Sequence, residues 1–255
     1  MSDAPSIRVF NDPQATSGAA AEAIALALRE AVKERGRADW ATTGGSTPVG
    51  IYRALAVPPL RGLVPWASVQ VWWGDDRFVP RDDPLSNVLP LDRELLGEVP
   101  LLQANVHAMP MDEVIAAGGE VSVVAAAYDG ELRAAALPIA DSGFPILDVV
   151  LVGLGGDGHV LSVFPGSRLF DSVDWVSGVP APAHIEPHVP RVSLHPGVLA
   201  AARRPMVVAH GGGKAAILAA VLGPERDERR WPAQVARRVG AIWFLDRDTA
   251  ASLPR

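Results

Sequence analysis

The sequence of 255 residues contains no cysteine. Thiol catalysis, disulfide bonds and zinc sites with cysteine ligands are therefore excluded. No apolar run is long enough to span a bilayer, and the first residues, MSDAPSIRVFNDPQ, lack the apolar core of a signal peptide. We therefore expect a cytoplasmic protein with no membrane partner.

The chain also has no excess of basic residues: its formal net charge is −6. A mildly acidic chain is a poor candidate for binding nucleic acid over a broad surface, although a local cluster of donors can still bind a small anion. The chain shows no low-complexity segment and no internal repeat. We expect one domain over residues 1–255, present as a monomer or a small homo-oligomer.

Strand-like apolar runs alternate with helix-like segments along the chain. The strand candidates are, in order, IRVF, DWATT, VQVWWGD, ILDVVLVGL, RVSLH, PMVVAHG and AIWFLD. Helical segments lie between them, among them residues 15–35, which end at Gly36, and WPAQVARRVG near the end of the chain. This alternation predicts the α/β class: an open, mostly parallel, doubly wound sheet of Rossmann-like type with helices on both faces.

Four polar, glycine-rich stretches directly follow strand candidates: TTGGSTP, WGDDRFVP, GLGGDGH and AHGGGK. Ligands of parallel α/β sheets collect at the carboxyl ends of the strands. We therefore expect these stretches, which lie far apart in the sequence, to contribute to one binding site.

Two of these stretches have features of anion-binding loops. In TTGGSTP, Gly44 and Gly45 allow a ligand to approach the backbone closely, and Ser46 and Thr47 precede the start of a helix. The alternative is an ordinary helix N-cap, in which one of the two hydroxyls bonds to the helix. Lys214 in HGGGKA is either a phosphate clamp or a solvated lysine.

The stretch GLGGDGH presents Asp157 and His159 on a tight turn. Its glycines fit G-x-G-x-x-G, but Pro165 and Gly166 stop any helix soon afterwards, so NAD binding ranks third among the interpretations. Histidine is the side chain suited to proton transfer near neutral pH, and Asp157 is close enough in sequence to orient its ring. The alternative is a turn whose polar groups bond only to the local backbone.

The segment WWGDDRFVP places Asp75, Asp76 and Arg77 just past a strand. Arg77 is either a partner for a phosphate or a developing oxyanion, or half of a local surface ion pair with an aspartate. His184 and His188 lie four residues apart, but prolines surround them, so we expect a surface loop rather than a metal site.

Together these motifs resemble the glucosamine-6-phosphate isomerase/6-phosphogluconolactonase family, and its lactonases in particular. The resemblance covers about residues 7–251 and is carried by GGSTP, DDRFVP, SN at positions 86–87, GLGGDGHVLSVFPGS, PRVSL, GGGKAAIL and WPAQV…AIWFLD. The chain departs from the family at Asp76, where glutamate is usual. It departs again at Val160 and Leu161, where Thr-Ala is usual, and thereby loses a hydroxyl near His159.

The resemblance implies hydrolysis of 6-phospho-D-glucono-1,5-lactone, a step of the pentose phosphate pathway, without metal or cofactor. For this reaction we expect His159 to take a proton from the attacking water, Asp157 to position either His159 or the sugar hydroxyls, and Arg77 to serve the oxyanion or the phosphate. Substrate binding is implied for a further set of residues: Gly44, Gly45, Ser46, Thr47, Asp75, Arg191 and Lys214.

Two other functions stay open on the sequence alone. An amino-sugar-phosphate isomerase or deaminase of the same fold would carry a glutamate five residues beyond His159, where this chain has Phe164, and a tyrosine where it has Phe78. A non-catalytic sugar-phosphate sensor would carry a DNA-binding module, for which we expect no room because the predicted sheet begins at Ile7.

Overall fold

A computed structural model describes residues 4–253 of the chain. Its strands form a seven-stranded parallel sheet in the order β1-β10-β9-β6-β2-β3-β5 and a three-stranded antiparallel sheet in the order β4-β8-β7. The strands are β1 (Ser6–Phe10), β2 (Ala38–Thr42), β3 (Val69–Trp73), β4 (Asp75–Arg77), β5 (Val106–His107), β6 (Val149–Gly153), β7 (Val176–Val179), β8 (Arg191–Leu194), β9 (Arg204–Ala209) and β10 (Ile242–Asp246).

Helices connect the strands of the large sheet. The α-helices are α1 (Pro13–Arg35), α2 (Val49–Leu55), α3 (Leu60–Leu63), α4 (Leu89–Leu91), α5 (Met111–Ala116), α6 (Val121–Ala134), α7 (Pro196–Ala201) and α8 (Ala215–Leu222). A π-helical turn covers Asp92–Leu96. Short 3₁₀ turns cover Trp66–Ser68, Gln103–Asn105, Arg168–Asp171, Gly212–Lys214, Pro232–Ala236 and Thr249–Ser252. Among residues 4–253, none of the helices combines the length and the apolar character needed to cross a membrane.

Helices cover both faces of the parallel sheet. Trp40 on β2 and Trp72 on β3 point to opposite faces, because Trp40 pairs with Val71 and side chains alternate along a strand. The ring of Trp40 packs edge-on against Tyr52 of α2, and that of Trp72 packs edge-on against Tyr128 of α6. The predicted fold class, a parallel sheet covered on both faces, is confirmed.

Local signals in the sequence account for the bounds of α1. Asp12 precedes the helix and its carboxylate accepts the backbone N–H of Ala15, while Pro13 occupies the first turn, where no intrahelical donor is needed. Gly36 ends the helix with φ of 76°, a left-handed conformation that glycine adopts without steric cost. The predicted end at Gly36 is therefore confirmed, and the helix begins two residues earlier than predicted.

The order of the strands reverses at β2. The chain runs outward from β2 through β3 to β5 and then returns to β6, which pairs with the other side of β2. The loops after β2 and β6 therefore leave the sheet in opposite directions and open a crevice between them. The stretches TTGGSTP and GLGGDGH form these two loops.

The small antiparallel sheet modifies two predictions. RVSLH does form a strand, β8, but β8 pairs with β4 and β7 instead of joining the parallel sheet. Asp75 to Arg77, expected just past a strand, form a strand of their own, β4. The prediction of a helix over WPAQVARRVG was wrong in extent, because only the 3₁₀ turn Pro232–Ala236 forms there.

Candidate active site

A cavity of about 310 Å³ opens at the carboxyl ends of β2, β6 and β9. The loops after these strands line it, and strands β4 and β8 of the small sheet, with the segment before β8, form another wall. The lining residues that carry polar side chains are Thr43, Ser46, Thr47, Asp75, Arg77, Asn87, His159, Arg191, His210 and Lys214. The structure therefore brings the four polar stretches together, as their positions after strand candidates predict.

Most of the site residues suggested by the sequence line this cavity. The exceptions are Gly45 and Asp157. Gly45 lies between two lining residues of the loop after β2 and has φ of 81°, which favours glycine. Asp157 lies behind His159, which it contacts.

His159 and Asp157 form a hydrogen-bonded pair. Nδ1 of His159 lies 2.6 Å from Oδ1 of Asp157, and the backbone N–H of His159 donates to the same oxygen at 3.1 Å. Partial burial works to raise the pKa of Asp157, but hydrogen bonds from His159 and His184 hold it well below its usual range. Because an ionised carboxylate only accepts, Nδ1 of His159 is the donor in this pair, and in the neutral form of the ring the lone pair is on Nε2.

Packing also holds the ring of His159 in place. Phe164 lies against it, with ring centroids 4.7 Å apart and planes inclined by 54°. A Cβ atom at Gly155 would lie 2.0 Å from Nδ1, so only glycine leaves room for the ring. Val160, where the family usually has threonine, is completely buried. The orientation of the ring therefore rests on Asp157, Phe164 and Gly155, without a hydroxyl at position 160.

The loop after β2 is fixed from two sides. The hydroxyl of Tyr52 donates to the carbonyl of Thr43 at 2.6 Å. Asn87 approaches so closely that a Cβ atom at Gly44 would lie 2.2 Å from its Oδ1. The side chains of Ser46 and Thr47 line the cavity, and α2 has no side-chain N-cap hydrogen bond. The N-cap alternative for these hydroxyls is therefore not realised.

Arg77 and Arg191 create a strongly cationic wall. They are direct partners in the antiparallel ladder of β4 and β8, so their side chains lie on the same face of the small sheet. The Nε atoms of both are buried and have no hydrogen-bond partner within the part of the chain that the structure describes. Burial, together with the charge of Arg77, lowers the pKa of Arg191. Two adjacent guanidinium groups with unused donors favour the binding of an anion.

Arg77 is held near the cavity by a hydrogen bond that does not neutralise it, and Lys214 lines the same cavity. Nη1 of Arg77 donates to the carbonyl of Leu85 at 2.6 Å, and no salt bridge to an aspartate involves it among residues 4–253. The surface ion pair considered for Arg77 is therefore not formed. Lys214 lines the cavity with its Nζ close to Gly156, since a Cβ atom there would lie 3.8 Å from it.

Two adjacent aspartates organise the wall formed by β4. Asp75, which lines the cavity, accepts a hydrogen bond of 2.6 Å from the hydroxyl of Ser162. Asp76 is buried, and its Oδ1 accepts the backbone N–H groups of Arg77 at 2.7 Å and Asn87 at 2.6 Å. Burial raises the pKa of Asp76 to about 7. Asp76 therefore ties the segment of Asn87 to the strand that carries Arg77.

Reasoning from the sequence alone missed several residues of the site, among them Thr43 and His210, which line the cavity. Asn87 lines the cavity, and the SN motif of the family resemblance was the only signal for it. His184 was expected on a surface loop, yet its Nε2 lies 2.9 Å from Oδ2 of Asp157. Within the described residues, no group of three or more histidine, aspartate or glutamate side chains is arranged to hold a metal ion.

Fold and site together define an α/β protein in which a histidine–aspartate pair lies beside a cluster of cationic side chains at the switch point of a parallel sheet. A family model described as glucosamine-6-phosphate isomerases/6-phosphogluconolactonase matches residues 11–243. The chain belongs to this family.

Individual relatives are similar to the chain over its full length. The 6-phosphogluconolactonase of Streptomyces coelicolor is 38% identical over 260 residues, which cover 100% of this chain and 97% of that protein. The 6-phosphogluconolactonase of Synechocystis sp. is 31% identical over 251 residues, 98% of this chain and 99% of that protein. The structure of 6-phosphogluconolactonase from Trypanosoma brucei superposes with a TM-score of 0.86 at 29% identity, covering 99% of this chain and 100% of that one.

Proposed function

We propose that the chain hydrolyses 6-phospho-D-glucono-1,5-lactone to 6-phospho-D-gluconate. The observation that carries this proposal is the presence of His159, held by Asp157, in the same cavity as Arg77, Arg191 and Lys214. This hydrolysis needs a base for water, positive charge near the developing oxyanion and a site for the phosphate. The 6-phosphogluconolactonases among the relatives support the same substrate.

In the proposed reaction, Nε2 of His159 takes a proton from a water molecule as its oxygen attacks C1 of the lactone. The carbonyl oxygen becomes an oxyanion, and the new imidazolium is stabilised by the carboxylate of Asp157. When the tetrahedral intermediate collapses, the bond from C1 to the ring oxygen breaks, and the imidazolium returns its proton to that oxygen. One water is consumed and no covalent intermediate on the protein is required.

The phosphate and the oxyanion are both anions, and the cavity offers cationic donors to each. We assign the 6-phosphate to the loop with Gly44, Gly45, Ser46 and Thr47 together with Lys214, since backbone N–H groups, hydroxyls and an ammonium suit its oxygens. Arg77 and Arg191 supply charge on the neighbouring wall, where a negative charge develops during the attack. Asp75 accepts hydrogen bonds from sugar hydroxyls.

The alternative isomerase or deaminase function lacks a supporting observation. Phe164 stands where those enzymes were expected to carry glutamate, and it is buried against the ring of His159. A phenyl ring cannot exchange protons, so the second acid–base group needed for ring opening and enolisation is missing at this position.

The proposal can be tested by replacing each of the two lysines of the chain and comparing hydrolysis of the phosphorylated and the unphosphorylated lactone. Lys214→Ala should raise KM for the phosphorylated lactone by about tenfold to a hundredfold, the cost of one charge-assisted hydrogen bond, and leave hydrolysis of unphosphorylated gluconolactone nearly unchanged. Lys33→Ala, in the last turn of α1, is the matched control and should behave as the unmodified protein. An equal loss on both lactones would contradict the assignment of the phosphate to Lys214.

We further propose that residues 1–255 act as one domain in the cytoplasm, on a small-molecule substrate, as a monomer or small homo-oligomer without nucleic-acid or membrane partners. The net charge of −6 supports the absence of a polyanionic partner. Size-exclusion chromatography with light scattering measures the oligomeric state directly.

A further inference from the structure

We propose that His184 is a positioning residue for the pair of Asp157 and His159. It holds the second oxygen of the Asp157 carboxylate and thereby limits how tightly His159 retains a proton. The kinetic part of this inference rests on the proposed function, in which His159 must be deprotonated to accept a proton from water.

Two imidazoles share the carboxylate of Asp157, one on each oxygen. Nδ1 of His159 lies 2.6 Å from Oδ1, and Nε2 of His184 lies 2.9 Å from Oδ2. Both rings also contact Phe164, at centroid distances of 4.7 Å for His159 and 5.5 Å for His184. The position of His184 is thus defined by a polar contact and an aromatic one.

His184 also connects the turn of His159 to a neighbouring segment, residues 180–190. This segment is held at other points by a hydrogen bond from His188 Nδ1 to the carbonyl of Pro182 at 2.7 Å and by one from Arg191 to the carbonyl of Pro187 at 3.2 Å. Ile185, the next residue after His184, lines the cavity. The contact between His184 and Asp157 therefore fixes part of the cavity wall relative to His159.

Charge explains why His184 affects the base. A donor on Oδ2 withdraws negative charge from the carboxylate that stabilises the His159 imidazolium, whether His184 is neutral or protonated. Removing the donor leaves the full charge of Asp157 to His159, which then holds its proton to higher pH. The other titratable and charged groups around the pair are Asp75 and Arg77 on β4, Arg191 on β8, His210 and Lys214 after β9, and Glu186 and His188 on the segment itself.

The test compares His184→Ala, His184→Gln and the control His188→Ala, which removes another hydrogen bond of the same segment without removing a donor to Asp157 and so controls for a loosened segment. The acid limb of the pH profile of kcat/KM should move upward by about half a unit in His184→Ala, so that activity on that limb falls about threefold. In His184→Gln, whose amide nitrogen replaces the donor, the acid limb should return to the pH at which the unmodified protein has it. In His188→Ala the acid limb should not move.

A measurement without turnover separates this inference from the proposed function. The pH titration of the His159 ring signals, followed by NMR in the same variants, should show the same upward move in His184→Ala even if no lactone is hydrolysed. The inference would be overturned if His184→Ala changed neither the midpoint of the NMR titration of His159 nor the acid limb of the kcat/KM profile. A shift that His184→Gln fails to reverse would also overturn it, because a lost packing contact rather than a lost donor would then be responsible.

Discussion

Gly155 determines whether the imidazole of His159 fits into its place. A methyl group at this position would lie 2.0 Å from Nδ1, so the ring of His159 must move in Gly155→Ala and its hydrogen bond to Asp157 is disturbed. We expect kcat to fall at least about tenfold, because misplacing a base by a fraction of an ångström is costly. Steady-state kinetics on the lactone measure the loss.

The control for this substitution is Gly62→Ala in α3, where the added methyl group meets nothing within 4 Å. It should leave kcat unchanged. Full activity in Gly155→Ala, with a far-ultraviolet circular dichroism spectrum like that of the control, would show that the close approach of Gly155 to His159 does not matter.

The residues of the site differ in how visible they are in the sequence. His159 and Asp157 stand out because a glycine-rich turn after an apolar strand carries them. His184 could not be recognised, because its contact with Asp157 joins positions 27 residues apart through a proline-rich loop without a regular pattern. Asn87 could be suspected only from the family motif, since its role depends on a backbone approach to Gly44 that no local pattern encodes.

At the scale of elements, most strands were predictable from their apolar residues, whereas β4, β5 and β7 were not. The run ILDVVLVGL contains β6, whose first four residues are buried. Asp75–Arg77 form β4 although they are all charged, because their backbone pairs with Arg191–Ser193 of β8. An antiparallel partner more than a hundred residues away leaves no periodic signal, so the small sheet could not be foreseen.

In the segment after Trp231, a helix was predicted that does not form. Its composition suggests a helix, yet Pro232–Ala236 form only a 3₁₀ turn. The side chain of Gln234 donates to the carbonyls of Val221 and Glu225, which fixes the turn against the end of α8. Tertiary hydrogen bonds thus override the helix propensity of the segment.

Helix α6 contains a glycine whose replacement should stabilise the protein. Gly130 is exposed in the helix interior, and an added Cβ would meet nothing within 4 Å. Gly130→Ala should raise the free energy of unfolding by about 0.5–1 kcal/mol, because alanine loses less backbone freedom on folding. Urea unfolding at equilibrium measures the change.

The matched comparison is Gly36→Ala at the end of α1. Its methyl group is also unobstructed, but φ of 76° makes the backbone unfavourable for alanine, so we expect a loss of about 1 kcal/mol. Destabilisation of both variants would contradict the description of Gly130 as an ordinary helical position.

At the scale of the whole molecule, buried Asp76 links stability to pH. Burial raises its pKa from 3.8 to about 7, so the folded state keeps a proton that the unfolded state releases between these values. Folding binds a proton in this range, and stability therefore falls as pH rises from about 4 to about 7. Asp76→Asn should remove this component while its Oδ1 still accepts the two backbone N–H groups.

Urea unfolding at pH 5 and pH 8 tests this link. The unmodified protein should lose about 3 kcal/mol more between the two values than Asp76→Asn does, from the two units of pH that lie below the raised pKa. Parallel pH dependences of the two proteins would show that Asp76 is not protonated in the folded state. Asp174→Asn, at an exposed turn, serves as the control.

The fold concentrates cationic groups in one place although the net charge of the chain is −6. The strand order reverses between β2 and β6, and the crevice there collects loops from the parallel sheet and two arginines from the small sheet. The cationic groups are therefore concentrated in one cavity, where they act on a bound substrate more strongly than the net charge does. The single domain over residues 1–255 stays a prediction.

In the proposed function, His159 activates water for hydrolysis of a phosphorylated lactone. The most direct measurement is the hydrolysis rate of freshly generated 6-phosphogluconolactone, coupled to 6-phosphogluconate dehydrogenase and corrected for the spontaneous rate, with the unmodified protein and His159→Ala. We predict rapid turnover that falls by two to four orders of magnitude, roughly the contribution of a general base, in the variant. A loss of less than about tenfold, or no acceleration by the unmodified protein, would contradict the account.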